Sequence, residues 1–203
     1  MALPDDWALL EEVTEYETSW YDGGYDRYEQ PDGSEKRYYW ASLPPAVVVV
    51  ARLESDQVAT VKTGSDGGTG RADPVDPDED HLLFVEQFRP PIRETHLELP
   101  AGVVEEGESY TQAAARELEE ETGFRPSSTA LLQEYAVATG LLRHDRAVVY
   151  AEGLELGEQE HDSNEFLEVW TVPVSDALER ARAQPANDST VSALLLAQND
   201  QLL

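Results

Sequence analysis

The chain has 203 residues, no cysteine and a formal net charge of −28, from 42 acidic and 14 basic residues. The length suits one domain with a modest accessory part, and the lack of cysteine excludes thiolate metal sites, thiol nucleophiles and disulfides. Because no basic stripe is available to neutralise phosphates, we expect no nucleic-acid partner. Such a charge with only two lysines, Lys36 and Lys62, is typical of proteins that work at very high salt, where the Debye length falls to about 3 Å. We therefore expect a halophilic source.

The composition argues against a disordered or membrane-bound chain. Hydrophobic residues make up 40% of the sequence, in patterns typical of strands and helices, which is too much for disorder of the whole chain. The N-terminus has neither the basic start nor the apolar run of a signal peptide. The longest apolar stretch, residues 46–51, is too short to cross a bilayer. We expect a cytoplasmic protein with no membrane partner.

Residues 1–62 are predicted to form an N-terminal antiparallel strand region. Runs rich in aromatic and β-branched residues at 13–18, 25–28 and 37–40 predict strands. Asp32-Gly33 lies between two of them and predicts a hairpin turn. Residues 47–51 predict a buried strand. Residues 63–80, rich in Gly, Asp and Pro, predict an acidic flexible loop.

Residues 81–203 are predicted to form one α/β (α+β) domain. Apolar and alternating patterns predict strands, and amphipathic stretches predict helices. The predicted strands are 82–88, 95–99, 130–138, 147–151 and 166–172, and the predicted helices are 110–122, 175–183 and 191–198. Gly123 is expected to end the first helix in the left-handed conformation. Mixed strands with helices packed on them predict a sandwich.

The most informative segment is residues 102–124, GVVEEGESYTQAAARELEEETGF. Within the predicted helix, Glu117, Glu120 and Glu121 are spaced at i, i+3 and i+4, so their carboxylates share one face. Hard oxygen ligands of this kind are what Mg²⁺ prefers. In so acidic a chain, a run of glutamates is by itself more often a solvated helix face. The run alone therefore leaves both interpretations open.

The spacing of the whole segment decides between them. It resembles the Nudix signature, Gly-x5-Glu-x7-Arg-Glu-U-x-Glu-Glu-x-Gly-U, at all nine specified positions, with Leu118 and Phe124 in the two apolar slots U. The resemblance implies an α/β/α sandwich with a mixed sheet. It also implies hydrolysis of a nucleoside diphosphate linked to another moiety, with Mg²⁺, or Mn²⁺ in its place, as the cofactor.

Carried over to this chain, the resemblance assigns roles to several residues. Glu117 and Glu121 would be direct metal ligands, joined by the carbonyl of Ala101. Glu120 would be a further ligand or a catalytic orienting group. Arg116 would hold the glutamates in place for catalysis.

The resemblance also implies a catalytic glutamate from a loop after the signature. That loop corresponds to residues 157–165. Glu165 aligns best, as a metal ligand or as the general base, and Glu160 is the reserve for the base. An inert role for either is the alternative in so acidic a loop, because a base must reach the attacking water.

The flanks of the signature resemble the ADP-ribose pyrophosphatase-like group, at residues 86–91, 97–102 and 187–197. This implies that Arg89 contacts the pyrophosphate and that Glu98 contacts a substrate hydroxyl or a neighbouring loop. The alternative is an ordinary surface ion pair. The chain departs from many members of the group at Thr139, where they carry proline, which leaves other nucleotide sugars open.

The same group uses its N-terminal strands to form a homodimer and to stack the adenine between aromatic rings. Tyr28 is our candidate for that stacking, and ordinary sheet packing is the alternative for the aromatic residues of this region. The leading hypothesis is therefore hydrolysis of ADP-ribose to AMP and ribose 5-phosphate. Dinucleoside polyphosphate or nucleoside triphosphate hydrolysis is the nearest rival. A non-catalytic nucleotide-sugar-binding regulator is the other, although it would not need the complete Arg116-Glu117 and Glu120-Glu121 pairs.

Overall fold

A computed structural model describes residues 3–58, 78–157 and 167–203, together with the backbone of residues 71–72. The strands are β1 (Ala8–Glu17), β2 (Asp22–Glu29), β3 (Glu35–Ser42), β4 (Ala46–Leu53), β5 (Arg71–Ala72), β6 (His81–Arg89), β7 (Glu94–Glu98), β8 (Ala101–Val103), β9 (Phe124–Ala136), β10 (Leu142–Arg143), β11 (Asp145–Leu156) and β12 (Leu167–Pro173). The helices are α1 (Tyr110–Thr122), α2 (Val174–Arg182) and α3 (Asp188–Asn199). The chain divides into two compact units, the first made of Met1–Pro45 and Tyr135–Arg146, and the second of Ala46–Glu134 and Ala147–Leu203.

The first unit contains a four-stranded sheet in the order β1-β2-β3-β10. Strands β1, β2 and β3 are antiparallel neighbours, and β10 runs parallel to β3. The β2–β3 turn has Gly33 at φ +78°, a conformation in which glycine avoids the strain of a side chain. The Asp32 carboxylate accepts a hydrogen bond from the Ser34 amide at 2.9 Å. The predicted hairpin is therefore confirmed.

The second unit is built on a mixed eight-stranded sheet. Its order is β5-β12-β6-β4-β11-β9, with β7 paired to β6 and β8 paired to β4. Strands β5 and β12 are parallel, whereas β12–β6, β4–β6, β6–β7 and β4–β8 are antiparallel. The short strand β5 falls within the segment predicted as a flexible loop, and the rest of that segment before Asp78 lies outside the described residues.

Strand β4 is buried on both faces, as its apolar sequence predicts. Alternate residues join α1 in one core cluster, whose members from these two elements are Val47, Val49, Ala51, Leu53, Ala113, Ala114 and Leu118. Between them, Val48 and Val50 are also buried and point to the opposite face, and α3 packs on the same strand. The sheet thus lies between helices, and the predicted mixed α+β sandwich is confirmed.

The helices within the described ranges are all too short or too polar to cross a bilayer.

The excess of acidic residues makes stability depend on salt. Strand β1 alone exposes Glu11, Glu12, Glu15 and Glu17, and the whole chain carries −28, so its carboxylates repel one another in the compact state. We expect the Tm in molar KCl to exceed that in dilute buffer by about 10 °C, as a few kcal/mol of relieved repulsion would give. Thermal scans over a series of KCl concentrations check this. Equal Tm values in dilute buffer and KCl would refute the expectation.

Candidate active site

Helix α1 begins and ends where its local sequence predicts. Ser109 is the N-cap, and its hydroxyl accepts from the Gln112 amide at 3.3 Å, while the Gln112 side chain accepts from the Ser109 amide at 2.9 Å. This reciprocal capping box satisfies two donors that the helix leaves unpaired. Gly123 ends the helix at φ +76° and donates to the Glu119 carbonyl at 2.8 Å. The two caps therefore determine where the helix begins and ends.

The three predicted ligand carboxylates differ in their exposure to solvent. The side chain of Glu120 is 40% exposed and that of Glu117 is 12% exposed. Glu121 is buried, with 3% of its surface accessible. One of its carboxylate oxygens accepts a hydrogen bond from the Ala101 amide at 3.1 Å. A buried carboxylate needs such partners, so this contact holds Glu121 next to the backbone of Ala101.

Arg116 is the centre of the polar network on this face. Its guanidinium donates to both Glu108 oxygens at 2.9 and 3.0 Å, to Glu117 at 2.8 Å and to Glu120 at 2.9 Å. It also donates to the Val103 carbonyl at 2.8 Å. The hydrogen bonds from Arg116 lower the pKa of Glu108, and those to Glu108 raise the pKa of Arg116. The Arg116 guanidinium therefore holds three carboxylates together and connects α1 to β8 through a hydrogen bond.

Gly102 leaves the space that the Glu117 carboxylate occupies. A Cβ at this position would overlap the carboxylate carbon and both of its oxygens. The φ of Gly102 does not lie in the left-handed region, so the requirement for glycine here is one of space. The glycine of the signature thus has a steric reason in this chain.

We expect Gly102→Ala to weaken Mn²⁺ binding by about tenfold, because Glu117 must move away from its partners. Calorimetric titration with Mn²⁺ measures the change. Gly33→Ala is the matched control: it places a side chain at positive φ but in open space, so it should cost about 1 kcal/mol of stability and leave metal affinity unchanged. Unchanged Mn²⁺ affinity in Gly102→Ala would contradict the steric role.

These groups suit a hard divalent cation. Carboxylates of Glu117, Glu120 and Glu121, with the carbonyl of Ala101, are the oxygen donors that Mg²⁺ prefers. Within the described ranges, no three acidic or histidine side chains converge closely enough to surround an ion. In proteins Mg²⁺ usually completes its octahedron with water and substrate phosphate. In this structure the carboxylates of Glu117 and Glu120 pair with Arg116, and that of Glu121 accepts from the Ala101 amide.

The two predicted substrate residues of the second unit bind each other. Arg89 donates from Nε to both oxygens of Glu98, at 3.2 and 3.1 Å, and from Nη2 to Oε2. The Glu98 side chain is 8% exposed, whereas that of Arg89 is 40% exposed. The pair spans antiparallel strands β6 and β7. The buried glutamate therefore holds the arginine at the end of β6.

Tyr28 lies in the first unit, in an aromatic groove of about 450 Å³. The groove is lined by Trp7, Asp26, Tyr28, Tyr38, Tyr39, Trp40, Thr139, Gly140, Leu141, Leu142 and Arg143. The Tyr28 hydroxyl donates to Asp26 at 3.1 Å. Burial raises the pKa of Tyr28, and this hydrogen bond raises it further.

Glu160 and Glu165, the predicted loop glutamates, lie outside the described residues.

Sequence reasoning missed the polar centre of this groove. Asp26 is buried and accepts from Trp40 Nε1 at 2.8 Å and from Arg143 at 2.5 Å. The Arg143 guanidinium lies 4.0 Å from the centre of the Trp40 ring, a cation–π distance. No local signal could have identified the cluster, because Arg143 follows Asp26 by 117 residues. Thr139 lines the same groove.

A sequence model of the NUDIX domain matches residues 73–194, more than half of the chain. The chain belongs to the Nudix family. This Nudix chain is 36% identical over 114 residues to an ADP-ribose pyrophosphatase of Bacillus subtilis, covering 55% of this chain and 62% of that protein. It is 37% identical over 123 residues to an ADP-sugar pyrophosphatase of Mus musculus, covering 57% of this chain and 56% of that one. The chain therefore spans about three fifths of the length of these relatives.

A solved structure of an ADP compounds hydrolase matches the whole Nudix chain. The match covers 100% of this chain and 97% of the other, with a TM-score of 0.75 and 22% sequence identity. At that identity the likeness shows the fold alone, because function depends on the residues of the site. The predicted Nudix fold is confirmed.

Proposed function

We propose that this Nudix protein hydrolyses the pyrophosphate bond of a nucleoside-diphosphate sugar, with ADP-ribose giving AMP and ribose 5-phosphate. The observation that carries the proposal is the carboxylate network around Arg116, with Glu121 held at the Ala101 backbone. The names of the Bacillus and mouse relatives support the choice of substrate class. Other ADP-sugars are the second candidate, because Thr139 stands where many ADP-ribose enzymes carry proline.

The residues divide the chemistry between them. Glu117, Glu121 and the Ala101 carbonyl would hold Mg²⁺, with Glu120 as a further ligand or orienting group. The bound cation would neutralise pyrophosphate charge and lower the pKa of a water. Glu165, or Glu160 in reserve, would take the proton of the attacking water. Arg116 would keep the carboxylates in place throughout the reaction. As the water oxygen bonds to one phosphorus of the pyrophosphate, the bond from that phosphorus to the bridging oxygen would break.

Arg89 would bind the pyrophosphate, and Glu98 would hold the Arg89 guanidinium in position. Arginine suits a phosphate because its planar donors match the phosphate oxygens. The contact with the buried Glu98 restricts the guanidinium while leaving it accessible, so less rotamer freedom is lost on binding. Tyr28 would stack on the base with the aromatic residues of its groove, since rings accept planar partners over their faces.

We also propose that the protein is a cytoplasmic homodimer of a halophile, formed through the first unit. This unit exposes several large apolar side chains, namely Leu9, Leu10, Tyr16, Trp20, Tyr21, Tyr39 and Leu141. Where exposed apolar side chains form one contiguous patch, they are typical of association surfaces. Light scattering in molar KCl should give twice the monomer mass of 22.6 kDa. A monomer under these conditions would refute the dimer.

Product analysis tests the activity. ADP-ribose, ADP-glucose, a dinucleoside polyphosphate and ATP are incubated with the protein and Mg²⁺ in molar KCl, and products are separated by chromatography. We expect AMP and ribose 5-phosphate from ADP-ribose, and no turnover in excess chelator. Release of phosphate or pyrophosphate from ATP, without cleavage of the sugars, would favour the polyphosphate alternative. Binding of ADP-ribose without products would favour the regulator.

A further inference from the structure

We propose that Thr190 of α3 is a positioning residue that sets the contact between Glu121 and the Ala101 backbone. The expected effect of Thr190 on catalysis rests on the proposed function. Thr190 is buried, with 1% of its surface accessible, and its hydroxyl oxygen accepts a hydrogen bond from the Leu99 amide at 3.1 Å. It would act through the backbone of residues 99–101.

The segment Leu99-Pro100-Ala101 leads from β7 into β8, and each of its three residues makes a backbone hydrogen bond to a group outside the segment. The Leu99 amide donates to Thr190, the Pro100 carbonyl accepts from the Val49 amide at 2.8 Å, and the Ala101 amide donates to Glu121 at 3.1 Å. Proline has no amide to donate. Only Leu99 and Ala101 therefore offer amide donors here, and each is matched to a side chain of a different helix.

Thr190 is well placed to act as a rigid support. Asn187 caps α3, and its side chain accepts from the Thr190 amide at 2.8 Å. Thr190 is β-branched, so few rotamers are open to it inside a helix. Helix α3 in turn packs on β4 and α2. The hydroxyl therefore has a defined position relative to the sheet, and the Leu99 amide takes its position from it.

Loss of this acceptor would act on the carboxylates at a distance. A buried amide without a partner is costly, so the connection would shift to find another acceptor or water. Ala101 is two residues further along, and its amide holds Glu121. A shift of the connection would lengthen or break that contact. It would also move the Ala101 carbonyl, which is itself a proposed ligand.

Isosteric variants separate the hydrogen bond from packing. Thr190→Val keeps the shape but removes the acceptor, whereas Thr190→Ser keeps the hydroxyl. Thr171→Val is the matched control, because Thr171 is also fully buried in the second unit and its hydroxyl has no hydrogen-bond partner among the described residues. We measure amide hydrogen exchange at Leu99 and Ala101 by NMR, Mn²⁺ affinity by calorimetry, and kcat and KM for ADP-ribose.

In Thr190→Val we expect exchange at Ala101 to accelerate, Mn²⁺ affinity to fall by about tenfold and kcat to fall by more than KM changes. Thr190→Ser should restore all three, and Thr171→Val should match the wild type. If Thr190→Val does not fold, Thr190→Ala replaces it as the variant without a hydroxyl. Equal Ala101 exchange and Mn²⁺ affinity in the variant without the hydroxyl and in the wild type would overturn the proposal.

These readouts also separate the two proposals. If the wild type cleaves no nucleotide sugar but Ala101 exchange responds to the loss of the Thr190 hydroxyl, the proposed function fails and the positioning role stands. If the wild type is active and exchange at Ala101 does not respond, the positioning role fails alone.

Discussion

Replacing Glu121 by glutamine is expected to lower the turnover of ADP-ribose by about a thousandfold, which corresponds to roughly 4 kcal/mol of lost transition-state stabilisation. The glutamine keeps the shape of the side chain and can still accept from the Ala101 amide. It removes the negative charge that Glu121 would supply to the metal. Because Glu121 is buried, water screens that charge little, and the effect should be large. Steady-state kinetics with Mg²⁺ in molar KCl measure it.

The control for this variant lies on the same helix. Glu119 pairs with Arg125, and none of the proposed metal or substrate roles involves it. Glu119→Gln removes the same charge from α1 and should leave kcat within about twofold of the wild type, as expected for a solvent-screened ion pair. Equal losses in both variants would mean that general electrostatics, rather than ligation by Glu121, set the rate. Thermal unfolding of each variant shows whether the fold is retained.

Replacing Arg116 by methionine is expected to lower both stability and turnover. The side chain is 24% exposed and donates hydrogen bonds to three carboxylates and a carbonyl. Its loss leaves three negative charges close together without the positive charge of the guanidinium. We expect about 3 kcal/mol of lost unfolding free energy and a fall in turnover of about a hundredfold. Urea unfolding in molar KCl and steady-state kinetics measure the two effects. Arg125→Met is the matched control, because that arginine is 66% exposed and should contribute less than about 1 kcal/mol.

The effect of Arg116 on stability should depend on pH. Hydrogen bonds from Arg116 lower the pKa of Glu108 below its usual value of 4.5 in the folded protein. A carboxyl group with a lowered folded pKa contributes stability that is complete above its unfolded pKa, and that is lost as the pH falls through the folded pKa. The stability difference between wild type and Arg116→Met should therefore be largest near neutral pH and shrink below about pH 4. A difference that is constant down to pH 3 would contradict this linkage.

Much of the fold follows from patterns that are local in the chain. Gly123 predicts the end of α1, and Asp32-Gly33 predicts the β2–β3 turn, because these features depend on the backbone preferences of a few neighbouring residues. The apolar run at β4 predicts burial on both faces. Short-range physics of this kind is present in the sequence without knowledge of the partners.

The candidate site was predictable to the extent that it lies on one helix. The spacing of Glu117, Glu120 and Glu121 puts their side chains on one face of α1 in any fold that forms the helix, and Arg116 lies four residues before Glu120. The loop glutamates Glu160 and Glu165 stay predictions. For Arg89 and Glu98 the sequence left substrate contacts and an ion pair open, and the structure shows the ion pair. The sequence could not decide this because strand register determines which side chains meet across a sheet.

The amino-acid sequence by itself determined the family, the bounds of α1 and the order of the acidic residues on it, because these depend on residues close together in the chain. Only the tertiary structure decided which distant groups support them. Thr190 meets Leu99 across 91 residues, and Arg143 meets Asp26 across 117. Such contacts depend on how strands are ordered and how helices pack on them, and no spacing in the sequence records that. The position of Glu121 therefore depends on its own helix for direction and on α3 and β8 for the backbone that receives it.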